Sequence, residues 1–175
     1  MSDRQSEIRD VEALFAYELE AVYDMEVRLV DALDDMSQLA TNDNLSKGFA
    51  IHRRETERQV ENVEAAFAAL GREPNRRPNR IVDGLLAERE GIDAGVADDA
   101  LRNVYYRNAA IRTERLEITS YEGLLELAER GDLGAAVTEP LERNLAQEEK
   151  TLRKLEGLAD DDSGLKSLWD DVTGS

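Results

Sequence analysis

Histidine occurs once in the 175-residue chain, at position 52, three residues before Glu55. At helical spacing His52, Glu55 and Gln59 share a stripe with Phe49, Val63 and Phe67, so all three point where a core is expected. Three other long helical patterns carry the same anomaly, a carboxylate where an apolar stripe calls for a hydrophobic residue. Glu26 falls between Val22 and Leu29, Glu114 between Ile111 and Ile118, and Glu148 between Leu145 and Leu152. Glu117 lies at the edge of the third stripe, one turn before Tyr121. An isolated buried carboxylate costs on the order of several kcal/mol, and it escapes by protonation or pairing. These faces hold too few lysines and arginines to pair every carboxylate, although Arg115 neighbours the third-helix position. Two divalent ions, Fe(II) or Mn(II), remove the conflict because they take both carboxylate and imidazole ligands. Di-metal sites inside bundles are built from facing glutamates and from Glu/His pairs three apart, and His52-x-x-Glu55 has that spacing in reverse order.

Taken singly, each position has a plainer explanation. A lone inward histidine packs in a core, and a single glutamate on a stripe sits at a bundle end or reaches to water. The joint pattern is stronger, since the interruptions fall near the middle of four separate helices. Gln59 reads as a polar core residue beside the ligands. Tyr23 and Tyr121 read as packing residues whose hydroxyls reach a carboxylate.

Four long helices must position these groups. The first is expected from about Ser6, a candidate N-cap, to about Ala40, with Val11, Phe15, Leu19, Val22, Leu29, Leu33 and Met36 on its apolar face. A turn follows at 41–44, and Asn44 or Ser46 can cap the second helix, which should end near Leu70 with Gly71 just beyond. Residues 72–80 contain two prolines and read as loop, with a short helix over 81–88 inside a long crossover. Such a crossover can join parallel neighbours, which short loops cannot. The third long helix should run from Asp98 or Asp99 to Arg130, burying Leu101, Val104, Ile111, Ile118, Tyr121 and Leu125. The fourth should end near Leu158, with Pro140 in its first turn, Thr138 near its cap, and a stripe of Leu141, Leu145, Glu148, Leu152 and Leu155. The expected organisation is one all-α domain over 1–159 and a short amphipathic C-terminal tail over 160–175, with Leu165, Leu168, Trp169 and Val172 on its apolar side.

The formal net charge is -17, which argues against nucleic acid and anionic membrane surfaces as partners. No run approaches the roughly 18 apolar residues of a membrane span, and the N-terminus has no apolar signal region, so a cytoplasmic protein is expected. The absence of cysteine excludes disulfides, thiolate metal sites and a cysteine nucleophile. Acid is spread along the whole chain, with four lysines against eighteen arginines. That surface reads as adaptation to a salty cytoplasm, of the haloarchaeal kind, rather than as a site for one cationic partner.

Several stretches together resemble the YciF-like stress-protein family, a branch of the ferritin-like superfamily. They are Leu19 to Leu33 with Tyr23-Asp24-Met25-Glu26, His52 to Thr56 with Gln59, Asp83 to Glu88, Thr113 to Ile118 with Tyr121, and Leu145 to Lys150. The resemblance covers the chain to about Ala159. It implies a ferritin-like four-helix bundle, a homodimer, and a di-metal site at Glu26, His52, Glu55, Glu114, Glu117 and Glu148. It also implies a stress-associated role without an established reaction. The sequence departs from the family at Arg115 and Gln59, where members often carry histidine, and at Leu152, where an acidic residue is common.

Two functions of different class follow. One is a metal-binding bundle that handles iron or peroxide, oxidising Fe(II) with oxygen or peroxide as ferritin-like relatives do; a manganese catalase would share its bundle. The other is a metal-free structural or partner-binding dimer with a vestigial site.

Overall fold

The computed structural model describes residues 8–157. The described residues form five helices: α1 Val11–Leu39, α2 Asp43–Ala69, α3 Arg80–Gly95, α4 Asp99–Arg130 and α5 Ala135–Gly157. The C-terminal tail at 160–175 and the N-cap candidate Ser6 lie outside the described residues.

Side-chain caps set most helix starts. Asp10 accepts from the Ala13 amide at 2.8 Å, so α1 begins at Val11 rather than near Ser6. Asn42 caps α2 through the Asn44 and Leu45 amides, each at 3.0 Å. Ser46, expected as a cap, instead donates its hydroxyl to the Ser37 carbonyl. Asp98 caps α4 through the Ala100 and Leu101 amides. At the end of α2, Gly71 has φ +66°, and Gly71 and Arg72 donate to the carbonyls of Ala68 and Phe67. This paired closure needs the left-handed conformation that glycine adopts without strain. Helix α5 begins five residues before Pro140, not around it. The carbonyl deprived of its amide donor belongs to exposed Ala136, where water can replace the bond, while the proline ring is buried.

Helices α1, α2, α5 and α4 close a ring in which α1 packs on α2 and α4, and α5 packs on α2 and α4. Every neighbouring pair is antiparallel. Tyr23 on α1 meets Glu64 on α2, Thr41 beyond α1 meets Asn103 on α4, and Gln59 and Asn62 on α2 meet Glu148 and Asn144 on α5. Helices α2 and α4 are therefore parallel, as a long crossover permits, but they face each other across the bundle instead of lying side by side. The crossover helix is longer than 81–88. It continues to Gly95, where Arg89 holds the Ala32 carbonyl and Asp35 on α1, and Asp93 accepts from Tyr106 on α4.

The interior has three layers. One apolar cluster contains Phe15, Leu19, Val22, Met25, Leu29, Val63, Phe67, Leu124 and Leu141. A second, at the other end, contains Leu33, Met36, Leu45, Phe49, Tyr106, Ala110 and Leu155. Full burial of each large side chain contributes about 1.5–3 kcal/mol. Leu101 and Val104, expected inside, are 62% and 56% exposed; Tyr106 and Ala110 occupy the core face there. Tyr106 can hold that face because its hydroxyl reaches Asp93 on α3, a partner that the pattern of α4 alone does not show. Between the two clusters lies a polar layer.

Candidate metal centre

Each long helix contributes to the polar layer between its two apolar stretches. Helix α1 supplies Glu26; α2 supplies His52, Thr56 and Gln59; α4 supplies Glu114 and Glu117; α5 supplies Asn144, Glu148 and Thr151. All are buried, and Glu26, Glu117 and Glu148 are 0% exposed. The positions follow from helical spacing: Tyr106, Ala110, Glu114, Glu117, Tyr121 and Leu124 form one buried line on α4, and Leu141, Asn144, Glu148, Thr151 and Leu155 form one on α5.

Donor atoms of His52, Glu114, Glu117 and Glu148 all lie within 4.8 Å of one another. His52 Nε2 stands 2.9 Å from Glu114 Oε1. The Gln59 amide donates to Glu148, and the Tyr121 hydroxyl donates to Glu26. Asn144 donates to the Tyr121 oxygen at 2.9 Å and to the Gln59 carbonyl at 3.1 Å, while Asn62 donates to Asn144 at 2.7 Å. After these bonds, five carboxylate oxygens remain buried without a partner: Glu26 Oε2, Glu114 Oε2, Glu148 Oε2 and both oxygens of Glu117. Such oxygens need protons or cations.

The electrostatics state the same conflict. Burial, then repulsion from Glu148, Glu26 and Glu114, holds Glu117 well above the ordinary carboxylate range. Burial and Glu114 do the same to Glu148. Burial lifts Glu26 to about 7 against the opposing hydrogen bond from Tyr121 and the charge of His52. Burial alone would lower His52, but the charge and hydrogen bond of Glu114, with Glu55 and Glu148, hold it well above its usual value. Burial would raise Glu55, yet His52, Lys154 and Arg58 bring it below the usual range.

Of the six sequence-derived positions, His52, Glu114, Glu117 and Glu148 converge. Glu26 is near enough for its charge to act on Glu117 and Glu148. Glu55 stands behind His52, with Oε2 3.8 Å from Nδ1, and its side chain is 11% exposed. Glu117, expected at an edge, lies at the centre. Gln59 and Tyr121 take the supporting places expected of them, and Tyr23 reaches Glu64. Arg115 takes no part, because it pairs with Glu156 at the surface. The sequence-derived set lacks Asn144. Its signal is a polar residue one turn before Glu148, on the same stripe and next to Leu145.

The profile of a family described as a domain of unknown function, DUF892, matches residues 10–166. The chain belongs to the DUF892 family. Protein YciF of Escherichia coli (strain K12) is 28% identical over 147 residues, spanning 82% of this chain and 86% of YciF. Among solved structures, YcfI from Rhodopseudomonas palustris superposes with a TM-score of 0.85 at 29% identity, covering 91% of this chain and all of that one. The E. coli stress protein YciF superposes with a TM-score of 0.82 at 26% identity, covering 89% of this chain and 98% of its own. This DUF892 chain is thus a YciF-type helical bundle with a buried His/Glu cluster. Among the described residues no helix is long and apolar enough to cross a membrane.

Proposed function

We propose that this chain binds a pair of Fe(II) or Mn(II) ions inside its bundle and serves iron or peroxide handling under stress. The observation that carries the reading is the convergence of four buried donor side chains within 4.8 Å. The donors fit such ions: carboxylate oxygens and one imidazole suit Fe(II) and Mn(II), and the chain has no cysteine to favour softer metals. His52, Glu114, Glu117 and Glu148 would hold the ions, with Glu26 completing the acidic ring. When bound, ions of this kind supply one-electron redox chemistry toward oxygen or peroxide.

The chain's own residues do the rest. The apolar clusters on either side keep bulk water from the layer. Gln59 steers Glu148, and Tyr121, itself held by Asn144, steers Glu26. His52 would bind an ion through a deprotonated ring nitrogen, so binding would release a proton from the His52–Glu114 pair. The stress role draws on YciF, which is described as a stress protein. The net charge of -17 supports a salty cytoplasm as the setting.

Anaerobic reconstitution with Fe(II) or Mn(II), followed by metal analysis, tests the reading. It predicts about two ions per chain, reduced in Glu114→Gln and Glu148→Gln. Less than one ion per chain, unchanged in those variants, would overturn it. A second reading is a metal-free structural dimer, favoured by the partners that Glu148 and Glu26 already have in Gln59 and Tyr121. It predicts that the same substitutions leave thermal stability unchanged or raised, with or without metal. Both readings include a homodimer, which light scattering checks.

A further inference from the structure

His52 is the single imidazole of the chain, and its two nitrogens face different surroundings. Nε2 faces Glu114, 2.9 Å from its Oε1. Nδ1 is buried and has no hydrogen-bond partner, and Glu55 Oε2 is 3.8 Å from it. The two nitrogens direct their protons and lone pairs away from each other, so an oxygen beside Nδ1 is not placed to share an ion with Nε2. Glu55 is also absent from the set of donors that converge.

We propose that Glu55 is a positioning residue and not a ligand: it accepts the Nδ1–H of His52 and so presents Nε2 to the ions held by Glu114, Glu117 and Glu148. The proposal rests on the metal reading above. A neutral imidazole carries one N–H, and the group that accepts it fixes both tautomer and ring orientation. Here the accepting group lies on the same helix, three residues along, so α2 carries both the donor and its support. Moving Glu55 by about 1 Å completes the hydrogen bond. Its side chain is 11% exposed and so is not locked by full burial. The spacing that in the sequence suggests two ligands then yields one ligand and its brace.

The experiment uses the full chain with Zn(II) as a diamagnetic probe. With isotopically labelled histidine, every imidazole nitrogen signal belongs to His52. The wild type should show protonated Nδ1 and metal-bound Nε2. Glu55→Ala should bind Zn(II) about 10–100-fold more weakly at unchanged stoichiometry, with the Nδ1–H signature weakened. Glu55→Gln, which keeps an acceptor oxygen, should recover most of the affinity and the wild-type tautomer. Three results would overturn the proposal: loss of an ion per chain in Glu55→Ala, as in Glu114→Gln; wild-type affinity and tautomer in Glu55→Ala; or equal weakness in both variants, which leaves only the charge of Glu55. Failure of the wild type to bind Zn(II), Fe(II) or Mn(II) removes the metal reading itself, a result distinct from those three.

Discussion

Asp24 and Glu26 stand two residues apart on α1 and are 5% and 0% exposed. Asp24 faces the crossover. It accepts from Arg76 at 3.0 and 2.9 Å, from the Asn79 amide at 3.0 Å, and more distantly from Arg28. Glu26 faces the bundle interior and accepts only from Tyr121, leaving Oε2 without a partner. One carboxylate is thus satisfied within the chain, and its satisfaction fastens the loop to α1. The other meets further carboxylates and calls for protons or cations from outside. The comparison shows that this sequence can neutralise a buried acid with arginine, and does not do so in the central layer.

Removing Asp24 should have the largest effect on stability. Asp24→Ala strands the Asn79 amide and releases Arg76, so it should destabilise the metal-free protein by about 2–4 kcal/mol in urea unfolding. Glu26→Gln in the metal-free protein should be neutral or stabilising, within about 1 kcal/mol, because it removes repulsion and a charge that burial penalises. Equal losses in the two variants would break the contrast.

The pH dependence sharpens it further. The folded value for Glu26, about 7, lies above its unfolded 4.5, so the folded state binds the extra proton between them. Its stabilising contribution is complete below about pH 4.5 and is lost as the pH rises through about 7. Glu117, Glu148 and His52, all raised, act in the same direction. With chelator present, the melting temperature should therefore fall between about pH 5 and about pH 8. Glu26→Gln and Glu117→Gln should flatten that slope. Saturating Mn(II) should reverse it, because ligands give up protons to bind metal and the affinity rises with pH. A flat profile in chelator would mean that the polar layer is wet.

Salt should have the smallest and least local effect. Raising KCl from about 0.1 to about 2 M should raise the melting temperature of wild type and Glu26→Gln alike, because screening relieves the net charge of -17. A gain confined to the wild type would place the effect in the central layer instead.

The bundle was legible because apolar residues recur at helical spacing on all four long helices and Gly71 and Gly131 mark ends. The site was legible because a carboxylate on a stripe contradicts its neighbours, as at Glu26, Glu114 and Glu148. Periodicity fails where a polar group is satisfied from another element. Tyr106 hides its core position behind a bond to Asp93, and Leu101 and Val104 mimic a core face. Arg115 illustrates the opposite error, since proximity along the chain suggested a site partner and the helix turns it outward. Which side of an imidazole a carboxylate meets is a matter of rotamers, so Glu55 could be placed beside His52 from its spacing but not behind the ring.

The most direct measurement is anomalous diffraction at the manganese edge from crystals of the full chain equilibrated with Mn(II). The account predicts two neighbouring peaks among His52, Glu114, Glu117, Glu148 and Glu26, with Glu55 against Nδ1. Peaks confined to surface aspartates, with the central layer closed on itself, would contradict it.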